Sequence, residues 1–115
     1  MKRTNFLFLS DILKAANYIE KFTSGFTLEK FLQAEMEQFA VIRNLEIIGE
    51  AARNIDEKFK KSHLLIPWRS INGFRNILVH EYFDVDMEAV WNVIIKDLPL
   101  LKKEIEKALV TENRL

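Results

Sequence analysis

Apolar residues return every three or four positions along almost the whole chain, the repeat of helices with one buried stripe and not the alternation of strands. Leu9, Ile12, Ala16 and Ile19 predict a first helix over about 4–22, stopped by Ser24-Gly25. Thr27 reads as the N-cap of a short extra turn of helix carrying Leu28, Phe31 and Leu32 inward. Val41, Leu45, Ile48, Ala52, Ile55 and Phe59 alternate steps of four and three, which predicts one long central helix over about 34–60 with a seam suited to bundle packing. Its other face carries Arg43, Glu46, Glu50 and Arg53, again at helical spacing.

Pro67 fits the first position of a third helix running through Trp68, Ile71, Phe74 and Leu78. Gly73 weakens that helix by about 1 kcal/mol relative to Ala and would permit a close backbone approach. Asp84 or Asp86 can cap a last helix with Trp91, Ile94, Leu98, Leu101 and Ile105 on one stripe, which Pro99 should kink or restart. Three Gly and two Pro leave little else to interrupt the helices, and no repeat, low-complexity stretch or linker divides them. The expected architecture is all-α: one domain over 1–115, an antiparallel four-helix bundle with an extra short helix.

Charge changes the picture locally. Lys and Arg number 17 and Asp and Glu 17, so the chain as a whole has no attraction for polyanions and any nucleic-acid contact needs a patch. Between Glu57 and Glu81 there is no acid, while Lys58, Lys60, Lys61, Arg69 and Arg75 supply five cations. The three lysines read equally well as complements to the dipole at the end of the central helix. Cysteine is absent, which removes disulfides, thiolate metal sites and thiol nucleophiles. Met1-Lys2-Arg3 and Phe6-Leu7-Phe8-Leu9 look like the start of a signal peptide, but Ser10, Asp11 and Lys14 cut the apolar run short. Nothing approaches the roughly 20 apolar residues of a membrane span. A soluble, cytoplasmic protein without membrane partners is expected.

The candidate chemistry lies in Arg75-Asn76-Ile77-Leu78-Val79-His80-Glu81-Tyr82. Arginine offers a planar fork of donors suited to phosphate oxygens, and histidine gives or takes a proton near neutrality. On an ideal helix, residues five apart sit about 140° apart, so Arg75 and His80 converge only if the long Arg side chain, a helix end near His80 or a second subunit helps. Asn76 and His80 share a face, so the amide can fix the imidazole tautomer; Arg75 and Tyr82 also align. The plainer alternative pairs Arg75 with Glu81 and leaves His80 in a core hydrogen bond. Glu46 and Glu50 could be an acid-base pair, but between Arg43 and Arg53 they fit an ion-pair ladder better. No spacing among His63, His80, Asp84 and Asp86 suits a metal, and none is assigned, nor any cofactor. Trp68 and Trp91 read as core.

The ordered set Val41-Ile42-Arg43-Asn44-Leu45-Glu46-Ile47-Ile48-Gly49-Glu50-Ala51-Ala52, Ile66-Pro67-Trp68, Phe74-Arg75-Asn76, His80-Glu81-Tyr82, Val90-Trp91 and Asp97-Leu98-Pro99 resembles the HepT-like toxins of the HEPN superfamily, with their R-x4-H-x-Y signature. The resemblance implies a dimeric helical bundle and a metal-independent ribonuclease whose composite cleft takes Arg75 and His80 from both subunits. It also implies a minimal nucleotidyltransferase antitoxin as partner, which in some members transfers AMP onto the motif tyrosine, here Tyr82. On that reading Asn76 positions the catalytic pair, Glu50 supports it, and Lys58, Lys60, Lys61 and Arg69 draw in the RNA backbone. Two alternatives keep the fold without the chemistry: a nucleotide- or partner-binding subunit of a nucleotidyltransferase, and a dimeric scaffold.

Overall fold

The computed structural model describes residues 2–78 and 85–112, together with their side chains except at positions 75–78 and 112. Its longest helix, α1 (Arg3–Thr23), buries Leu9, Ile12, Ala15, Ala16 and Ile19 on one stripe. It ends in a turn closed by the Phe26 amide donating to the Thr23 carbonyl at 2.9 Å. Ser24 (φ −57°, ψ 125°) and Gly25 (φ 75°) take the conformations of a type II turn, whose third position needs a residue tolerant of positive φ.

Thr27 caps α2 (Leu28–Gln33) by accepting from the Lys30 amide at 3.1 Å. Only Phe31 of its apolar residues turns fully inward, where it meets Trp91 at 5.3 Å between ring centroids; Leu28 and Leu32 are exposed, contrary to the inward orientation expected from their spacing. A six-residue helix is too short to bury three apolar side chains on one partner. The Gln38 side chain donates to the Phe31 carbonyl at 2.8 Å and locks α2 onto α3 (Glu35–Arg53).

The central helix is broken where one helix was expected. α3 stops at Arg53, and α4 (Glu57–Ser62) begins after Asp56, whose carboxylate accepts from the Phe59 amide at 2.8 Å. Asn5 of α1 grips the same residue twice, its amide nitrogen donating to the Asp56 carboxylate at 3.2 Å and its oxygen accepting from the Asp56 amide at 3.3 Å. The seam survives the break: Val41, Leu45, Ile48, Ala52, Ile55 and Phe59 are all buried.

α5 (Trp68–Leu78) follows Pro67 and sinks Ile71 and Phe74 into the core. A Cβ at Gly73 would meet no atom within 4 Å, so among the described residues no close backbone approach depends on this glycine. Asp86 caps α6 (Met87–Asn92), accepting from the Glu88 and Ala89 amides at 3.0 and 3.1 Å; Asp84, the other expected cap, lies outside the described residues. The last helix is interrupted just before Pro99, where a kink or restart was expected, and α-helical winding resumes at Leu98. A π-helical turn, Val93–Asp97, widens the backbone just before the proline, with the Leu98 amide donating to the Val93 carbonyl, and the chain continues as α7 (Leu98–Glu112). In an α-helix the proline ring would strike the carbonyl four residues back, and the wider turn relieves that clash.

The result is an all-α, antiparallel four-helix bundle: α1 packs on α3 and α7, α3 on α5, and α2 bridges α3 and α6. No strand occurs among the described residues. One contiguous core runs from Leu9 to Ala108. None of the described helices is long and apolar enough to cross a membrane.

Candidate functional site

Burial of Ile71 and Phe74 fixes the rotation of α5 against α3. Positions 68, 72 and 75 then fall on one stripe within about 60° of each other, since each residue turns the helix by about 100°. Along the axis, position 75 is about 4.5 Å beyond position 72 and about 10 Å beyond position 68. Arg75 and Asn76 therefore ride on the described backbone of α5, although their side chains are not among those described; His80 and Tyr82 lie outside the described residues.

The stripe begins in a rigid corner between α4 and α5. The Trp68 indole donates to the His63 carbonyl at 3.0 Å and meets the edge of Phe59, with centroids 6.5 Å apart and planes at 80°. His63 stacks on Phe59 at 3.9 Å, its Nδ1 lying 3.0 Å from the Phe59 carbonyl. Lys60 lies over the indole with its ammonium 5.6 Å from the ring centroid, and pairs with Glu57 at 3.7 Å. Trp68 and Trp91 are both packed, half-buried side chains, as their place on apolar stripes suggests.

A cleft of about 240 Å³ opens in this corner, lined by Ala52, Glu57, Lys60, Lys61, Leu64, Trp68 and Asn72. Glu57 is the one acid in this lining and already pairs with Lys60, which leaves Lys61 as the lining cation without an acidic partner among the described residues. Lys58, Lys61 and Arg69 are exposed and have no acidic partner among the described residues. Leu64 in the lining and its chain neighbour Leu65 are 77% and 76% exposed. Of the four predicted backbone-binding cations, Lys60 and Lys61 line this cleft, with Lys60 also used in packing, whereas Lys58 and Arg69 are exposed on α4 and α5 and are not in its lining. Lys60 and Lys61 occupy the last turn of α4, so the dipole-complementing role holds for them as well.

The acidic residues divide differently. Glu50 is exposed on α3 and forms an ion pair with Arg53, while Arg43 pairs with Glu46 at 3.7 Å, the ladder expected from their spacing. Arg43, Glu46 and Glu50 line a shallow groove between α1 and α3 with Phe8, Asp11, Ile47, Ala51 and Asn54. Glu50 and the cleft residue Ala52 are two apart, about 160° around α3, so Glu50 faces away from the α4–α5 corner of its own subunit. Asp56 joins the two sides: the hydrogen bond from the Phe59 amide, with help from the Asn5 amide and the Lys2 ammonium, holds its carboxyl below the usual carboxylate range.

Sequence reasoning missed Ala52, Leu64 and Asn72. Asn72 sits one turn before Asn76 and one turn after Trp68, a signal visible in the spacing. Ala52 and Leu64 meet it only through the angle between α3, α4 and α5. Chemically the corner offers an apolar wall, an exposed carboxamide and an uncompensated ammonium, which suits a ligand carrying both a flat ring and an anion.

Comparison with known proteins points the same way. Residues 12–108 match the family described as Ribonuclease HepT-like. The chain is 47% identical over 107 residues to "Probable ribonuclease HepT" of Thermococcus cleftensis, covering 93% of this chain and 97% of that one. It is 43% identical over 105 residues to a "Putative RNase" of Methanocaldococcus jannaschii, covering 91% and 96% respectively. A "Putative RNase" of Caldanaerobacter subterraneus is 35% identical over 106 residues, covering 92% and 95%. No solved structure matches.

Proposed function

The chain belongs to the ribonuclease HepT-like family, and from that premise we propose that it is a metal-independent endoribonuclease toxin, acting in the cytoplasm as a homodimer and silenced by a minimal nucleotidyltransferase antitoxin. The observation that carries the reading is the match over residues 12–108, a span that takes in Arg75, His80 and Tyr82. The basic corner leading along α5 toward position 75 supports it.

In metal-free cleavage the ribose 2′-oxygen attacks phosphorus and the 5′-oxygen leaves, so the protein must move two protons and hold charge on the phosphoryl oxygens. His80 acts as general base on the 2′-hydroxyl, and the partner subunit's His80 protonates the leaving oxygen. Arg75 holds the phosphoryl oxygens as their charge grows. Asn76 fixes the imidazole tautomer, and Glu50 takes a supporting part only where the two-fold brings the partner's motif to the α1–α3 face. Lys58, Lys60, Lys61 and Arg69 gather the RNA backbone, an attraction that salt weakens.

Silencing follows from charge and bulk. The Tyr82 oxygen attacks the α-phosphorus of ATP, pyrophosphate leaves, and the tyrosine then carries AMP two residues from His80. An anion there fills the cleft and occupies the cations meant for substrate. The test is to incubate purified protein with RNA in the presence of a chelator. Products ending in a 2′,3′-cyclic phosphate are expected, whereas intact RNA together with retained ATP or partner binding would make the chain a binding subunit instead.

A further inference from the structure

We infer that the α4–α5 cleft is a nucleotide subsite beside the scissile phosphodiester, in which Asn72 reads the base and Lys61 holds its phosphate. This rests on the ribonuclease reading and adds a source of sequence preference to it. Three observations converge. The cleft is lined by the fixed indole of Trp68 and the exposed Leu64, an apolar wall against which a flat ring loses water. Asn72 is exposed at its edge, with no hydrogen-bond partner among the described residues, so its carboxamide is available to pair with the edge of an unstacked base. Lys61 lacks an acidic partner among the described residues, whereas Lys60 is held by Glu57 and Trp68.

Size and register limit what the cleft takes. At about 240 Å³ it is smaller than the roughly 300–1,000 Å³ of pockets for drug-sized ligands, room for one nucleotide's base and phosphate but no more. Asn72 lies on the same α5 stripe as position 75, about 4.5 Å along the axis. A base seated on Asn72 therefore belongs to a nucleotide immediately adjoining the phosphodiester that Arg75 would hold. Single-stranded RNA presents its bases in this way, whereas a duplex keeps them stacked.

The experiment uses the full chain and a single-stranded RNA oligonucleotide pool with a randomised centre, cut in chelator, the ends of the products being sequenced. Wild type is expected to favour one base next to the cut, and Asn72→Ala to reduce that preference about tenfold, the usual weight of one well-formed side-chain–base contact. Lys61→Ala is expected to raise KM several-fold on a fixed oligonucleotide while kcat changes less than about twofold, the pattern of lost uniform binding. Both side chains are exposed, and circular dichroism verifies the fold of each variant. Cutting by wild type with no base preference, or a preference retained in Asn72→Ala, overturns the subsite and leaves the ribonuclease intact. Failure of wild type to cut any RNA overturns both.

Discussion

The α1–α3 face and the α4–α5 corner are equally rich in charge and use it in opposite ways. On α3, Arg43 meets Glu46 and Arg53 meets Glu50, each within its own helix. In the corner, Lys61 lines the cleft beside the exposed Leu64, and it, like Lys58 of α4 and Arg69 of α5, has no acidic partner among the described residues. The two regions thus differ in how their charge is used: the arginines of α3 are each matched within the helix, while of the cations on α4 and the start of α5 only Lys60 has an acidic partner among the described residues. Internal pairing leaves little for a ligand to gain, while unmatched cations beside apolar surface are what an anionic polymer with flat bases can use.

The sharpest way to break this comparison is to remove the side chains to which catalysis is assigned, those of Arg75 and His80. His80→Ala or Arg75→Ala should lower RNA cleavage by about a hundredfold or more, since a positioned acid-base group contributes typically 10²–10⁴ in rate. Helical circular dichroism should not change. Variants as active as wild type would remove the catalytic assignment and leave the basic corner as a binding surface only.

Much of this was legible in the sequence, because helical periodicity survives local breaks. Ile55 and Phe59 keep the 48–52–55–59 spacing of the central seam, so their burial was predictable. The same regularity hid the interruption: only Asn54, Asp56 and Glu57, an end-and-start signature of short polar side chains, marked it. Pro99 announced a disturbance but not its form, because whether a proline bends a helix or is absorbed by a π-turn depends on packing either side of it. Arg75, His80 and the lysine run could be read from residue type and spacing. The cleft could not, since Ala52, Leu64 and Asn72 come from three segments whose angles are tertiary facts.

Asp56 is the joint between the two regions, capping α4 while held by α1 through Asn5 and by Lys2 just before it. Its carboxyl is held below the ordinary value, first by the Phe59 amide. A group with a depressed folded pKa contributes stability that is fully present above its unfolded pKa and is lost as pH falls through the folded one. Wild type should therefore lose stability in urea titrations as pH drops below about 4, the ordinary range for an aspartate. Asp56→Asn should lower the midpoint at pH 7 and show a smaller acid loss. An unchanged midpoint would mean that α4 is held by Phe59 burial alone, and that the corner needs no tie to α1.

The smallest effect is expected where charge is already matched. Arg43 and Glu46 are largely exposed, 3.7 Å apart and on one helix, and such pairs are worth typically 0–1 kcal/mol after solvent screening. Arg43→Gln with Glu46→Gln should leave the urea midpoint nearly unchanged and the salt dependence of RNA binding intact. Lys58→Gln with Lys61→Gln should instead flatten that dependence, by about 0.7 in log–log slope for each phosphate of a single strand that the protein no longer neutralises. The Arg43 and Glu46 changes cancel in net charge whereas the Lys58 and Lys61 changes remove two positive charges, so the matched control for the lysine pair is Arg43→Gln with Arg53→Gln, which removes two cations that are paired on α3. If that control and the lysine pair flatten the slope alike, RNA is drawn in by the field of the whole molecule, and the separation of paired from unpaired charge has no functional meaning.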